Sequence, residues 1–228
     1  MKLIDVQEVS RTFGEGRTKV EALKKTNFSV KEGQFIAIIG PSGSGKSTLL
    51  TIIGGLQKPS EGRVLIKEEP FSEVSEKERA RLRFKEIGFI LQASNLIPFL
   101  TVEDQLRLIN KIDHTKSDDK HLTELLENLG IEKLRKKYPG DLSGGERQRA
   151  AIARALYHGP SVILADEPTA SLDTEKAFEV VEILAKETKQ QKKATIMVTH
   201  DERLISYCDE VYEMKDGVLT KQEMKQTN

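Results

Sequence analysis

Nine consecutive residues, Gly40-Pro41-Ser42-Gly43-Ser44-Gly45-Lys46-Ser47-Thr48, carry the clearest chemistry in the chain. Gly40 to Ser47 fits G-x-x-x-x-G-K-[ST] in full. An apolar run, Phe35 to Ile39, precedes it, and Leu49-Leu50-Thr51-Ile52-Ile53 follows. That order predicts strand, loop, helix, which is the context the pattern requires. Gly40, Gly43 and Gly45 lack Cβ, so the backbone can curl and turn several N–H groups toward one centre. A polyphosphate fits there, at the positive end of a helix dipole. Lys46 would reach the outer phosphates as a point charge, and the Ser47 hydroxyl would ligate Mg²⁺. The stretch therefore predicts a nucleoside triphosphatase, and a plain glycine turn explains it less well.

Two carboxylates stand where such a site needs them. Val162-Ile163-Leu164-Ala165 reads as a buried strand running into Asp166-Glu167. Ligands of open α/β sheets bind at the carboxyl ends of the strands. Asp166 can hold Mg²⁺ with Ser47, directly or through water. Glu167 can accept a proton from the attacking water. The plain alternative is a solvated acid at a strand end. Pro168 after the pair and the phosphate loop upstream favour the chemical reading.

A third stretch is Leu142-Ser143-Gly144-Gly145-Glu146. Ser143 and Glu146 form a capping box at a helix start. A cap does not explain two glycines in the first turn, each costing up to about 1 kcal/mol against alanine. Glycines there leave backbone N–H groups bare for something that comes close. A helix N-terminus with bare amides and a serine hydroxyl is a second anion site.

Together, the phosphate loop, Leu142–Glu146 and Asp166-Glu167 resemble the nucleotide-binding domain of an ABC ATPase, over essentially the whole chain. The resemblance implies ATP and Mg²⁺ as ligands. It implies a head-to-tail homodimer in which Leu-Ser-Gly-Gly of one copy closes onto ATP held by the other. Ser143 and Gly145 would then face the γ-phosphate in trans, with Gly144 and Glu146 beside them. Gln92 matches the glutamine that senses Mg²⁺ and the attacking water. His200, after Val198-Thr199, matches the switch histidine at the γ-phosphate. Ser171-Leu172-Asp173 matches the loop that crosses the dimer interface, placing Asp173 there. Phe13 stands where the family has an aromatic, often Tyr, stacking on adenine. The implied catalytic set is Glu167, His200 and Gln92, and the implied metal set Ser47, Gln92 and Asp166. The implied partner is an integral membrane permease on a separate chain, with this chain peripheral at the cytoplasmic face.

Further segments resemble the bacterial macrolide-exporter and lipoprotein-release group, which includes antimicrobial-peptide and haem efflux ATPases. They are Ile52 to Leu56, Gly88 to Gln92, Asn95 to Pro98 and Leu100 to Glu103. Asp104-Gln105 departs from the group's common Glu-Asn, and Arg147 stands where Gln is frequent. This implies efflux of an amphipathic compound. The alternatives are a non-transport regulator signalling across the membrane and an importer, with which Pro139-Gly140-Asp141 is compatible. Leu96, Ile97, Phe99 and Leu100 either offer a groove to the permease or pack the local core.

The elements that must hold these residues are legible in outline. Residues 2–9 and 18–31 read as strands, with Phe13-Gly14-Glu15-Gly16 in the loop between them. Arg63 to Lys67 and Ile87 to Leu91 read as strands. Helices are predicted to start at Ser75, Thr101, Ser117 to Asp119 and Ser143, and Gly130 stops the third. No strand is evident from Ala93 to about His158. Ser161 to Ala165, Ala194 to Val198 and Asp209 to Met214 complete the strands. Between the first two, a helix carries Ala177, Val180, Val181 and Leu184 at helical spacing. A short helix precedes Asp209. Asp216-Gly217 turns a hairpin into Val218-Leu219-Thr220, and Lys221 to Asn228 reads as a polar, frayed tail. The expected fold is α/β: a phosphate-loop NTPase core with an N-terminal antiparallel β subdomain and an inserted α-helical subdomain. One domain would span 1–228, with the core at 1–92 and 159–228 and the helical part at 93–158.

Composition narrows the partners. Lys+Arg and Asp+Glu are both 36, so the formal charge is zero. A general electrostatic attraction to nucleic acid or anionic lipid has no support. The single cysteine, Cys208, cannot close an internal disulfide and reads as a core residue in a cytosolic protein. No run approaches the ~18 apolar residues of a membrane span, and the N-terminus lacks a signal-peptide pattern. His114, His121 and His158 show no metal-ligand spacing and read as surface residues.

Overall fold

In the computed structural model, which describes residues 1–223, the chain opens with a long antiparallel pair. These strands are β1 (Lys2–Phe13) and β2 (Val20–Lys31). Strand β3 (Phe35–Ile39) leads through the glycine loop into α1 (Lys46–Ile53). β4 (Glu61–Ile66), β5 (Glu69–Pro70), α2 (Glu76–Glu86) and β6 (Ile87–Ile90) follow. Next come α3 (Val102–Asp113), α4 (Asp119–Asn128) and α5 (Gly144–Leu156). Among the described residues no strand interrupts them. The chain then forms β7 (Val162–Asp166), α6 (Thr174–Gln190), β8 (Ala194–Val198), β9 (Glu210–Lys215) and β10 (Val218–Gln222).

Two sheets result. One is antiparallel, in the order β2-β1-β4-β5; the other has six strands, in the order β10-β9-β3-β8-β7-β6. In the second sheet every pairing is parallel except β9 with β10. Side chains alternate across a strand, so a sheet covered on both faces splits its apolar residues between two cores. Phe35 and Ala37 of β3 face α3, α4, α5 and α6, whereas Ile36 and Ile38 face α1 and the antiparallel sheet. Ile163 and Ala165 of β7 divide from Val162 and Leu164 in the same way. α6 buries Ala177, Val180, Val181 and Leu184, the stripe expected from their spacing.

Some boundaries differ from the sequence reading. β1 runs on to Phe13, which pairs with Val20 and so is not a loop residue. Register shifts between Val6 and Val9 and between Val9 and Arg11 break the period of two, which hid the strand's second half. α1 starts at Lys46 rather than Leu49, because left-handed Gly45 caps it. The short helix expected before Asp209 is present, as the 3-10 helix Glu202–Tyr207. Lys221 and Gln222 pair with Tyr212 and Val211, so the tail begins later than expected, and residues 224–228 lie outside the described residues. His158 is half-buried and stacks on Phe84 at 5.8 Å between centroids, so it is not a surface residue. His114 and His121 are exposed. Cys208 is buried, as expected, and burial pushes its thiol up to about 12.

Candidate nucleotide site

The carboxyl ends of four neighbouring strands set the site. Ile38 of β3, Val198 of β8 and Asp166 of β7 lie level in the ladder, and Ile90 of β6 pairs with Ala165. The loops leaving these strands carry Gly40, His200, Glu167 and Gln92. They meet around one cavity of about 470 Å³, which Ser42, Gly43, Gly45, Lys46, Ser47, Thr48 and Asp166 also line. Pro41 and Ser44 belong to the same loop without lining the cavity.

Steric limits explain the loop's glycines. A Cβ on Gly40, at φ +142°, would come within 2.2 Å of Met214 O. One on Gly45, at φ +111°, would come within 2.5 Å of Ala22 O. β9 and β2 therefore press on the loop from behind. The hairpin turn joins them: Gly217 N–H donates to Ser44 O at 2.9 Å, and Lys24 N–H donates to Gly217 O at 2.9 Å. Ala22 and Gly217 escaped the sequence reading, because their nearness follows from β9 lying beside β3 and has no local signal. The Gly45 cap supplies no side-chain acceptor, so the first N–H groups of α1 keep their donor capacity for a ligand. Lys46 is buried and donates to Gly40 O at 2.7 Å and Pro41 O at 2.8 Å.

Facing the loop, Ser47 Oγ lies 3.5 Å from Asp166 Oδ1. Both are hard oxygen donors, the type Mg²⁺ takes. No cluster of three or more His, Cys, Asp or Glu residues with metal-ligand geometry occurs among the described residues. A cation here would complete its shell with phosphate oxygens and water, as Mg²⁺ does at nucleotide sites. Glu167 sits at φ +49°, a left-handed conformation rare for a side-chain-bearing residue. Its N–H donates to Val198 O at 2.9 Å, and its Oε2 is 2.8 Å from His200 Nδ1.

The Ser143 end of α5 lies apart. Gly144 lines a second cavity with Arg147, Gln148 and Ser171, and only Gln92 is shared with the first. The capping box is complete: Ser143 Oγ accepts from Glu146 N–H, and Glu146 accepts from Ser143 N–H at 2.7 Å. That backbone bond holds the Glu146 carboxyl below its usual range. Glu146 is thus committed to the helix start. Asp173 caps α6 at Lys176 N–H and pairs with the Lys176 ammonium, whose hydrogen bond lowers its carboxyl likewise. The two glycines differ. A Cβ on Gly145 would strike Lys176 Cδ at 2.7 Å, whereas one on Gly144 meets nothing nearer than Ser171 O at 3.9 Å. Phe13 lies outside both cavities, half exposed at the end of β1.

A lysine in a glycine loop at a parallel sheet's carboxyl edge, opposite paired acids, defines the phosphate-loop nucleoside triphosphatases. Comparison with known proteins narrows the class. The family model for the ABC transporter matches residues 23–170. A Staphylococcus aureus protein named as hemin import ATP-binding protein HrtA is 45% identical over 217 residues, 94% of this chain and 98% of its own. Its Staphylococcus epidermidis namesake is 48% identical over 214 residues, 93% and 96% of the two chains. The dimeric structure of the ABC transporter cassette MJ0796 superposes with a TM-score of 0.88 at 36% identity, covering 97% of this chain and 99% of that one. A post-hydrolysis state of the same cassette is bound to ADP and Pi, with the same TM-score and 35% identity. The chain belongs to the ABC transporter family, as an ATP-binding, ATP-hydrolysing subunit. Among the described residues no helix is long and apolar enough to cross a membrane.

Proposed function

We propose that two copies of this chain sandwich two ATP molecules head to tail and drive a separate membrane permease that moves an amphipathic compound outward. The observation that carries the reading is the division of the site. The phosphate loop and the acids share one cavity, while the Ser143 helix end opens on another. Among the described residues nothing crowds a Cβ at position 144, so a close approach from outside the chain is the reason for glycine there. The dimeric MJ0796 structure supports two copies as the working unit.

In this reading Phe13 stacks on adenine. The phosphate-loop amides and Lys46 grip the phosphates, and Lys46 exchanges its bonds to Gly40 and Pro41 for phosphate oxygens. Ser47 and Asp166, with Gln92 nearby, hold Mg²⁺, which neutralises phosphate charge when bound. Glu167 takes the proton of the attacking water, so its contact with His200 opens when ATP arrives. His200 and Gln92 stabilise the developing charge at the γ-phosphate. The partner's Ser143 and Gly145 close on that phosphate, and the loop at Asp173 crosses the interface. The chemistry is positioning plus electrostatics.

Closure would move α5 with the permease. Gln148 Nε2 donates to Leu91 O, and Arg154 donates to Ser94 O and Asn95 O, so the Gln92 loop is tied to α5. Next to that loop, Leu96 packs into the core while Phe99 is 77% exposed. Phe99 is therefore the residue offered to the permease, and Leu96 is not. Hemin stands first among candidate cargoes because of the relatives' names, which also favour a second reading, import. The test is to co-purify the chain with its membrane partner and reconstitute both in vesicles. ATP hydrolysis should rise with hemin, and hemin should leave the compartment that holds this chain. Uptake into that compartment would establish import, and a partner whose complex moves nothing would refute transport.

A further inference from the structure

We propose that Arg11 is a positioning residue for the nucleobase, a cationic back-plate that holds the Phe13 ring for stacking. The Arg11 guanidinium carbon lies 4.7 Å from the Phe13 ring centroid, within the ~6 Å reach of a cation–π contact. Arg11 is on the inner side: its Nε is buried, whereas Phe13 is 37% exposed. One face of the ring is therefore covered by a cation, and the ring keeps exposed surface for a base.

The plate is anchored to the turn that follows α1. Arg11 donates to Lys58 O at 3.1 Å. Thr12 N–H donates to Ser60 Oγ at 3.1 Å, and Ser60 N–H donates to Ser10 O at 2.8 Å. Residues 58–60 follow α1, the helix that starts at Lys46, so a short chain of bonds links the phosphate grip to the aromatic ring. The strand register brings the ring near the phosphate site. Phe13 is directly opposite Val20, two residues along β2 from Ala22, which lines the phosphate cavity. A guanidinium behind the ring also draws on its negative π-face, which favours a base with a large, electron-rich π surface on the opposite side.

This inference rests on the reading that Phe13 receives the base, and the experiment separates the two. Affinities for Mg-ATP and for Mg-tripolyphosphate, which has phosphates and no base, are measured on the full chain. The variants are Arg11→Ala, Arg11→Lys, Phe13→Ala and the double Arg11→Ala, Phe13→Ala. Expected for Arg11→Ala is a loss of about two- to fivefold in ATP affinity, with unchanged tripolyphosphate affinity. Arg11→Lys should retain part of the affinity, because the charge remains and the fork to Lys58 is lost. In the Phe13→Ala background, Arg11→Ala should cost nothing further. Unchanged or tighter ATP binding in Arg11→Ala, with weaker binding in Phe13→Ala, would overturn the role of Arg11 and leave the base site standing. Equal losses for ATP and tripolyphosphate would also overturn it, as a general charge effect. No effect of Phe13→Ala would refute the base site itself.

Discussion

Glu167 is held in the left-handed region at a cost of order 1–2 kcal/mol, beside the 2.8 Å contact with His200. Strain of this kind persists where the surroundings impose it, and it clusters at functional sites. Replacing the carboxylate by an amide keeps the backbone and removes the base. Glu167→Gln should retain ATP affinity and lose at least about 100-fold in steady-state hydrolysis. Near-normal turnover would remove Glu167 from the base role. Gly144 gives a second prediction. Its Cβ would meet only Ser171 O, at an unstrained 3.9 Å, and alanine gains up to about 1 kcal/mol in a helix. Gly144→Ala should therefore melt no lower than the parent chain yet hydrolyse ATP at least about tenfold more slowly, because the added methyl obstructs the trans phosphate. Parallel thermal melts and ATPase assays check this, and unaltered hydrolysis would end the trans role. At this scale the sequence was legible where the motif is local, as with Lys46 and Ser47. It was silent where a neighbour arrives from afar, as with Ala22 and Gly217 behind the loop and Lys176 against Gly145.

Among the elements, α3 shows how the helical segment is braced. Its first N–H groups donate to Lys137 O and Arg135 O, both at 3.0 Å. Its buried Glu103 takes a 2.8 Å bond from Arg135 and a second bond from Lys136. Burial raises the Glu103 carboxyl, but the bonds from Lys136 and Arg135 outweigh it and hold the group below its usual range. A carboxyl lowered on folding stabilises fully above its unfolded value of ~4.3 and loses that contribution as pH falls through the lowered folded value. Glu103→Gln should cost about 2 kcal/mol at neutral pH. The difference from the parent chain should shrink in denaturant melts below about pH 4, and a difference independent of pH would contradict the account. Gln105 on the same helix is buried and holds the 97–100 turn by accepting from Ile97 N–H and donating to Ile97 O and Leu100 O. Asp104-Gln105, a departure from the group pattern, thus keeps a structural job. Helix starts were well read because caps are local: Ser75, Thr101, Asp118 and Ser143 all cap. The end of β1 was missed because bulges interrupt its alternation.

For the molecule as a whole, the six-stranded sheet brings residue 40, residues 92 and 166–167, and residue 200 to one edge, although 160 positions separate the first from the last. Strand order was not readable from the sequence; only the division into core, β subdomain and helical insertion came with the family resemblance, which rested on local motifs. The sheet leaves the Ser143 helix end on a separate cavity, so the central claim is that ATP joins two copies. Sedimentation of the Glu167→Gln chain with and without Mg-ATP tests it most directly. The account predicts that ATP converts a 25.6 kDa particle into one of about twice that mass, holding two nucleotides. A chain that binds ATP and keeps its single-copy mass, or pairs equally without nucleotide, would contradict it.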